Sequence, residues 1–169
     1  MPNEALRLFH LLQLGMTFQC NQFMLLRDSL KSIIVIPARY KSSRFPGKPL
    51  VELLGKPMIL WVAELSVKAV GQENVYIATD DQRIVDVVVA AGFQYVMTSD
   101  SCLTGTDRLA EVALKVEADI YINVQGDEPL VNPQDINKVI DIKKSYLGEE
   151  TTHYFGKKES AFFDKYLYE

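Results

Sequence analysis

Arg39, Lys41, Arg44 and Lys48 fall within ten residues of one another in the stretch IPARYKSSRFPGKPL, Ile36 to Leu50. They follow the β-branched run Ile33 to Ile36, which reads as a buried strand. Ser42, Ser43, Pro46 and Gly47 stand among them and favour turns over helix. A loop of this kind can wrap an anionic ligand. Arginine gives a planar fork of donors and lysine a mobile point charge, so together they suit a triphosphate whose charge redistributes during substitution. Gly47 would let the backbone come close to that ligand. Neither of the common phosphate-binding patterns, GxxxxGK[ST] and GxGxxG, occurs in the chain.

Further candidates lie downstream, each with a bland alternative. Asp127 in QGDEP follows the apolar run Tyr121 to Val124, where a carboxylate can ligate a hard dication that bridges phosphate oxygens. Gly126, Asp127 and Pro129 are equally turn formers, and composition weighs the two readings alike. In LTGTDR, Thr104, Gly105 and Thr106 open a predicted helix whose free N–H groups and dipole can hold an anion or a polar base edge. Thr104 or Thr106 could also cap that helix with no ligand at all. Asp80 in ATDD could meet ribose or metal at a strand end, or with Asp81 cap the next helix. Arg108 and Glu111, three apart on one helical face, are expected to pair with each other.

The elements that must carry these residues alternate. Helices are predicted over Pro57 to Val70, Asp81 to Ala91, Thr106 to Glu117 and Pro133 to about Ser145, with strands at Asn74 to Ala78, Gln94 to Met97 and Asp119 to Val124. Strands separated by helices of this length predict an α/β fold, a doubly wound and mostly parallel sheet. Ligands of such sheets bind at the carboxyl ends of strands. The basic loop, Asp80, the Gly105 segment and Asp127 each follow a predicted strand, so the four could face one crevice.

At 169 residues the chain fits one domain with a sizeable core. A net charge of −4 gives no chain-wide attraction to nucleic acid or anionic membrane, so the basic loop acts locally and its ligand is expected to be small. Cys20 and Cys102 lie far apart with no metal-ligand or disulfide-framework spacing, which suits a reducing cytoplasm. The opening stretch ALRLFHLLQLGMTF is too short and too interrupted by Arg7, His10, Gln13 and Gly15 to insert in a bilayer.

PARYKSSRFPGKPL resembles the signature loop of the sugar-activating nucleotidyltransferases, in particular the 3-deoxy-manno-octulosonate (Kdo) cytidylyltransferases, or CMP-Kdo synthetases. The resemblance continues in register through LVELLGKPMILWV (Leu50 to Val62), VYIATDDQRI (Val75 to Ile84), VMTSDSCLTGTDRLAEV (Val96 to Val112) and YINVQGDEPLV (Tyr121 to Val131). It covers Ser32 to Lys144. It implies a Rossmann-like fold of the nucleotide-diphospho-sugar transferase (GT-A-like) type, truncated here.

The reaction it implies joins CTP to the anomeric hydroxyl of an acidic 2-keto sugar, giving CMP-Kdo for lipopolysaccharide and releasing pyrophosphate. The implied nucleotide-binding residues are Pro37, Ala38, Arg39, Arg44, Lys48, Thr104, Gly105, Thr106 and Gln125, with Gln125 near the cytosine. Arg39 and Lys48 would stabilise charge on the α-phosphate and Asp127 would ligate Mg2+; Lys41 falls at a variable family position and is expected to be solvated. Where relatives commonly have His then Ser before Gly-Thr, this chain has Cys102 and Thr104, which bears on nucleotide positioning more than on fold. His10 and His153 lie outside the motifs.

The organisation expected is an N-terminal extension over residues 1–31, a nucleotide-binding domain over 32–148, and an unassigned tail over 149–169. Leu6 to Leu14 could form a helix with a broad apolar face, and Met16 and Met24 are possible alternative starts. Family members are homodimers with a long second half that binds the sugar acid and builds the dimer interface, and no segment here matches it. Three readings stay open: a complete enzyme of unusual build, a CTP-binding remnant without turnover, and a subunit completed by a second polypeptide. A noncatalytic interaction module and a cytidylyltransferase for another acidic sugar are the remaining alternatives.

Overall fold

A computed structural model describes residues 30–41 and 45–150, the last four by backbone alone. Arg44, Cys20, His10, His153, the Leu6 to Leu14 segment and the tail beyond Glu150 lie outside the described residues.

The strand Ser32–Ala38 (β1) is apolar at nearly every position because both of its faces are covered. Alternate residues divide between two cores. Ile34, Ile36 and Ala38 pack with Val75 and Ile77 of β4 (Val75–Thr79) against the helices Met58–Val70 (α1), Gln82–Ala90 (α2) and Pro133–Glu150 (α4). Ile33 and Val35 face the other way, where Leu109 and Val112 of Gly105–Ala113 (α3) cover them. The strands β5 (Gln94–Met97) and β6 (Ile120–Asn123) complete a four-stranded sheet in the order β5-β4-β1-β6, with every pairing parallel. The doubly wound parallel sheet expected from the pattern is therefore present. No described helix is long and apolar enough to cross a membrane.

That strand order places the site. From β1 the chain steps outward through β4 to β5 and then returns to the opposite side of β1 to form β6, so the winding reverses between β1 and β6. Loops leaving adjacent strands at a reversal diverge to opposite faces and leave a crevice at the carboxyl ends. The basic loop leaves β1 there and QGDEP leaves β6.

Two boundaries differ from the sequence expectation. The helix anticipated from Thr106 to Glu117 begins at Gly105 and ends at Ala113, beyond which the Lys115 N–H turns to the Val112 carbonyl only three residues back. The last helix runs past Ser145 to Glu150. A small hairpin that the pattern did not reveal, Glu52–Leu53 (β2) with Lys56–Pro57 (β3), turns through Leu54 and Gly55 at φ 53 and 77. Two consecutive positive φ values suit the twist of a two-residue hairpin, but leucine at the first is not a residue that advertises one.

Candidate active site

The β1–β6 crevice is a cleft of about 510 Å³. Pro37, Ala38 and Arg39 enter it from the end of β1, Lys48 from the basic loop, Thr104, Gly105 and Arg108 from α3, and Gln125, Gly126 and Asp127 from the turn after β6. Of the nucleotide- and metal-binding residues that the resemblance implied, Thr106 and Arg44 are not among those lining it; Thr106 is one residue further along α3, and Arg44 is undescribed, while Asp80, expected to face the crevice, does not line it. Phe45, Pro49 and Leu103 line it as well; they stand inside the quoted motifs, but as apolar residues among charged ones they were not candidates.

The loops converge on Pro37. A Cβ on Gly126 would meet the Pro37 carbonyl oxygen at 2.8 Å, and one on Gly105 would meet the Pro37 ring at 3.0 Å. Gly126 is therefore glycine because backbone packs on backbone. Gly126→Ala should cost about 1–3 kcal/mol of stability, since neither carbonyl nor sheet can yield; an unchanged denaturant midpoint would refute the close approach. Gly47 serves the chain differently from the expected ligand approach. Its φ of 73 and its N–H bond to the Tyr40 carbonyl, 2.8 Å, fold the loop back beneath the Tyr40 ring, 3.1 Å from where a Cβ would stand. Tyr40 is held on another side by the Arg83 guanidinium, 3.3 Å from the ring centroid.

Across the cleft, Lys48 Nζ donates to Asp127 Oδ2 at 2.5 Å. The turn reading of Asp127 is met by backbone, since the Glu128 N–H closes on the Gln125 carbonyl, and the carboxylate is turned toward the cleft. Arg39 Nη1 reaches the Leu103 carbonyl at 3.4 Å, and Lys41 is exposed. Thr104 takes the capping alternative. Its Oγ1 accepts from the Asp107 N–H and its own N–H donates to Asp107 Oδ2, a reciprocal box whose hydrogen bonds hold the Asp107 carboxyl below its usual range.

Two expectations about charge pairs are corrected. Arg108 does not pair with Glu111: its guanidinium turns inward to Asp80, 3.2 Å away, because at that depth it needs a carboxylate. Asp80 is thereby committed to Arg108, and Asp81 alone caps α2, accepting from the Arg83 N–H. Glu111 instead takes Lys115 at 2.6 Å, the Ser99 N–H at 2.7 Å and the Cys102 thiol at 3.3 Å. Cys102 is not among the cleft-lining residues; it is part-buried on Glu111, and burial followed by that carboxylate pushes its thiol pKa up, which suits an inert structural role.

The Lys115 bond and then the Ser99 N–H hold the Glu111 carboxyl at about 2, below its ordinary 4.5. A depressed carboxylate contributes its full stability above the unfolded value and loses it as pH falls through the folded one. Glu111→Gln should therefore cost about 1–2 kcal/mol near neutrality, allowing for the exposure of Lys115, and progressively less from about pH 5 to about pH 2. Thermal melts of both proteins across that range would reveal it; a pH-independent difference would contradict it.

The described residues contain no cluster of three or more His, Cys, Asp or Glu able to cage a metal. Asp127 stands as a single half-exposed carboxylate beside cations, which fits a hard dication brought in by phosphate oxygens and does not fit one bound by protein alone.

A parallel sheet that gathers cations, a helix N-terminus and one carboxylate at its switch point defines an α/β domain with an anion-binding crevice. The chain belongs to the cytidylyltransferase family, whose sequence model matches residues 33–161. It is 53% identical over 110 residues to the 3-deoxy-manno-octulosonate cytidylyltransferase of Escherichia coli, an alignment covering 65% of this chain and 45% of that protein. It is 45% identical over 123 residues to the 8-amino-3,8-dideoxy-manno-octulosonate cytidylyltransferase of Shewanella frigidimarina (strain NCIMB 400), covering 71% and 50%. Among solved structures it resembles a CMP:2-keto-3-deoxy-manno-octonic acid synthetase complexed with CTP, at 50% identity and a TM-score of 0.66, covering 68% of this chain and 48% of that one. The chain spans about half the length of the curated relatives it matches.

Proposed function

We propose that this domain binds CTP with magnesium and supplies the nucleotide half of a site that transfers CMP to 3-deoxy-manno-octulosonate, releasing pyrophosphate. The observation that carries this reading is the convergence of Arg39, Lys48, Gln125 and Asp127 on one cleft. In support stands the 50% identity to a synthetase solved with CTP.

Each residue has a role in that scheme. Lys48 and Arg39 bind the triphosphate and neutralise charge that gathers on the α-phosphate as the sugar hydroxyl attacks in line. Lys48 exchanges Asp127 for phosphate when the nucleotide arrives, which frees the carboxylate. Asp127 would hold the magnesium ion, whose contribution is to screen the phosphates and favour departure of pyrophosphate. The first turn of α3 and Gln125 border the base. No covalent nucleophile is required.

A homodimer interface and the sugar acid's own contacts fall to sequence equivalent to the other half of the relatives. The likeness to the Shewanella protein favours a second reading for the sugar, an 8-amino acidic sugar of the same class. A reducing cytoplasm suits Cys102 as a free thiol.

The test is isothermal titration of the whole chain with CTP and magnesium, with ATP as control, followed by pyrophosphate release with each sugar. CTP-selective binding is expected. Release by the chain alone would mean that it completes a sugar site; binding without release would mean that a second polypeptide must complete it. Failure to bind CTP would reject the reading.

A further inference from the structure

A guanidinium is buried against the floor of the cleft. Arg108 leaves the first turn of α3 beside Thr104 and Gly105, and its side chain is only 4% exposed. Nη1 donates to Thr98 Oγ1 at 2.6 Å and to the Ser99 carbonyl at 3.4 Å, while Nη2 lies 3.2 Å from Asp80 Oδ1. Asp80 is the residue after β4, and Thr98 is the residue after β5. One side chain therefore ties the start of α3 to the carboxyl ends of two strands. Asp80 Oδ1 is buried and makes no well-formed hydrogen bond among the described residues, so the Arg108 charge 3.2 Å away is what compensates it.

We propose that Arg108 is a positioning residue for the nucleotide base: by holding α3 to β4 and β5 it sets the gap between Thr104–Gly105 and Gln125. This rests on the CTP reading above. The gap has no slack on its far side, because a Cβ on Gly105 would already stand 3.0 Å from the Pro37 ring and 3.6 Å from Gln125 Oε1. A helix released from Asp80 and Thr98 shifts by tenths of an ångström relative to Gln125, and a hydrogen-bonded base edge registers displacements of that size. The phosphate end depends on α3 far less, since Lys48 comes from the β1 loop and bonds Asp127, and Arg39 meets the approach to α3 only through its long 3.4 Å bond to the Leu103 carbonyl.

Arg108→Lys keeps a charge for Asp80 and loses the planar fork that reaches Thr98 and Ser99 at once. Dissociation constants for CTP, UTP and inorganic tripolyphosphate, each with magnesium, should be measured well below the melting temperature. CTP binding is expected to weaken about tenfold, the worth of one charge-assisted hydrogen bond. The preference for CTP over UTP should shrink with it and tripolyphosphate binding should stay unchanged.

A purely structural role would lower the melting temperature and leave all three constants and their ratios alone, and that result overturns the proposal. So would equal weakening of tripolyphosphate. If Arg108→Lys does not fold, Thr98→Val removes a single hydroxyl at nearly constant volume. It should move the CTP to UTP ratio about threefold in the same direction, and an unmoved ratio is again decisive against the role. A parent chain that binds no CTP would fail at a different step, rejecting the nucleotide reading itself.

Discussion

Replacing Asp127 by asparagine is expected to weaken magnesium-dependent CTP binding about 100-fold, the several kcal/mol a dication contributes when a carboxylate anchors it among phosphates. The fold should not register the change. The Lys48–Asp127 pair has side chains 40% and 49% exposed, and an ion pair so placed is worth about 0–1 kcal/mol. With a chelator present the sign reverses. The variant no longer opposes the phosphates with a negative charge, and Lys48 is released from its partner, so metal-free CTP should bind at least as well as to the parent. Titrations of both proteins with and without magnesium test this. Equal losses in the two conditions would make Asp127 a residue of the turn and not of the metal.

Lys48→Ala should weaken CTP binding by about 10- to 100-fold, the range for charge-assisted bonds to phosphate, and leave cytidine binding nearly untouched. The geometry supports the separation. Lys48 faces Asp127 across the cleft, whereas the base is assigned to the first turn of α3 and Gln125, which Lys48 does not touch in any described contact. The difference between CTP and cytidine should also shrink as salt is raised, because a half-exposed cation is screened. A loss shared equally by nucleoside and nucleotide would point to a disturbed loop, in which Lys48 supports the turn beneath Tyr40, and would sink the phosphate assignment.

The two variants bear on each other through the pair they share. Removing Lys48 leaves Asp127 without its counter-charge, so part of the lost phosphate attraction is offset by easier access of magnesium to the carboxylate. That offset needs the carboxylate, and the release of Lys48 in Asp127→Asn needs the lysine, so the double variant keeps only one of the two gains and should lose more than the product of the single losses, an interaction of the kind expected for contacting residues.

Much of this domain was legible in the residues themselves. Apolar runs of strand length alternating with helices of two to four turns dictate a parallel sheet, since strands buried on both faces have no polar side to show. Ile33 to Ile36 announced β1 in this way, and Asp81 announced the start of α2 by capping chemistry that acts within a few residues, while for α3 that chemistry left Thr104 and Thr106 as alternatives and the structure takes Thr104. The basic loop, QGDEP and TGTDR were candidates because unusual residue types crowd at strand ends, and the sheet's switch point gathers most of them.

What the sequence by itself did not decide is which charges belong to one another. Arg108 has Glu111 at helical spacing and takes Asp80 instead, 28 positions earlier by subtraction of their numbers, because its guanidinium is drawn under the cleft where a carboxylate is needed. Glu111 turns to Lys115, Ser99 and Cys102. Gly47 looked like room for a ligand and is used for the chain's own fold beneath Tyr40. Local propensity acts over one or two turns and can be read along the chain. Depth is a property of the assembled layers, and it is depth that sets the cost of an unpaired charge and so selects partners brought together only by the packing of α3 across β1, β4 and β6.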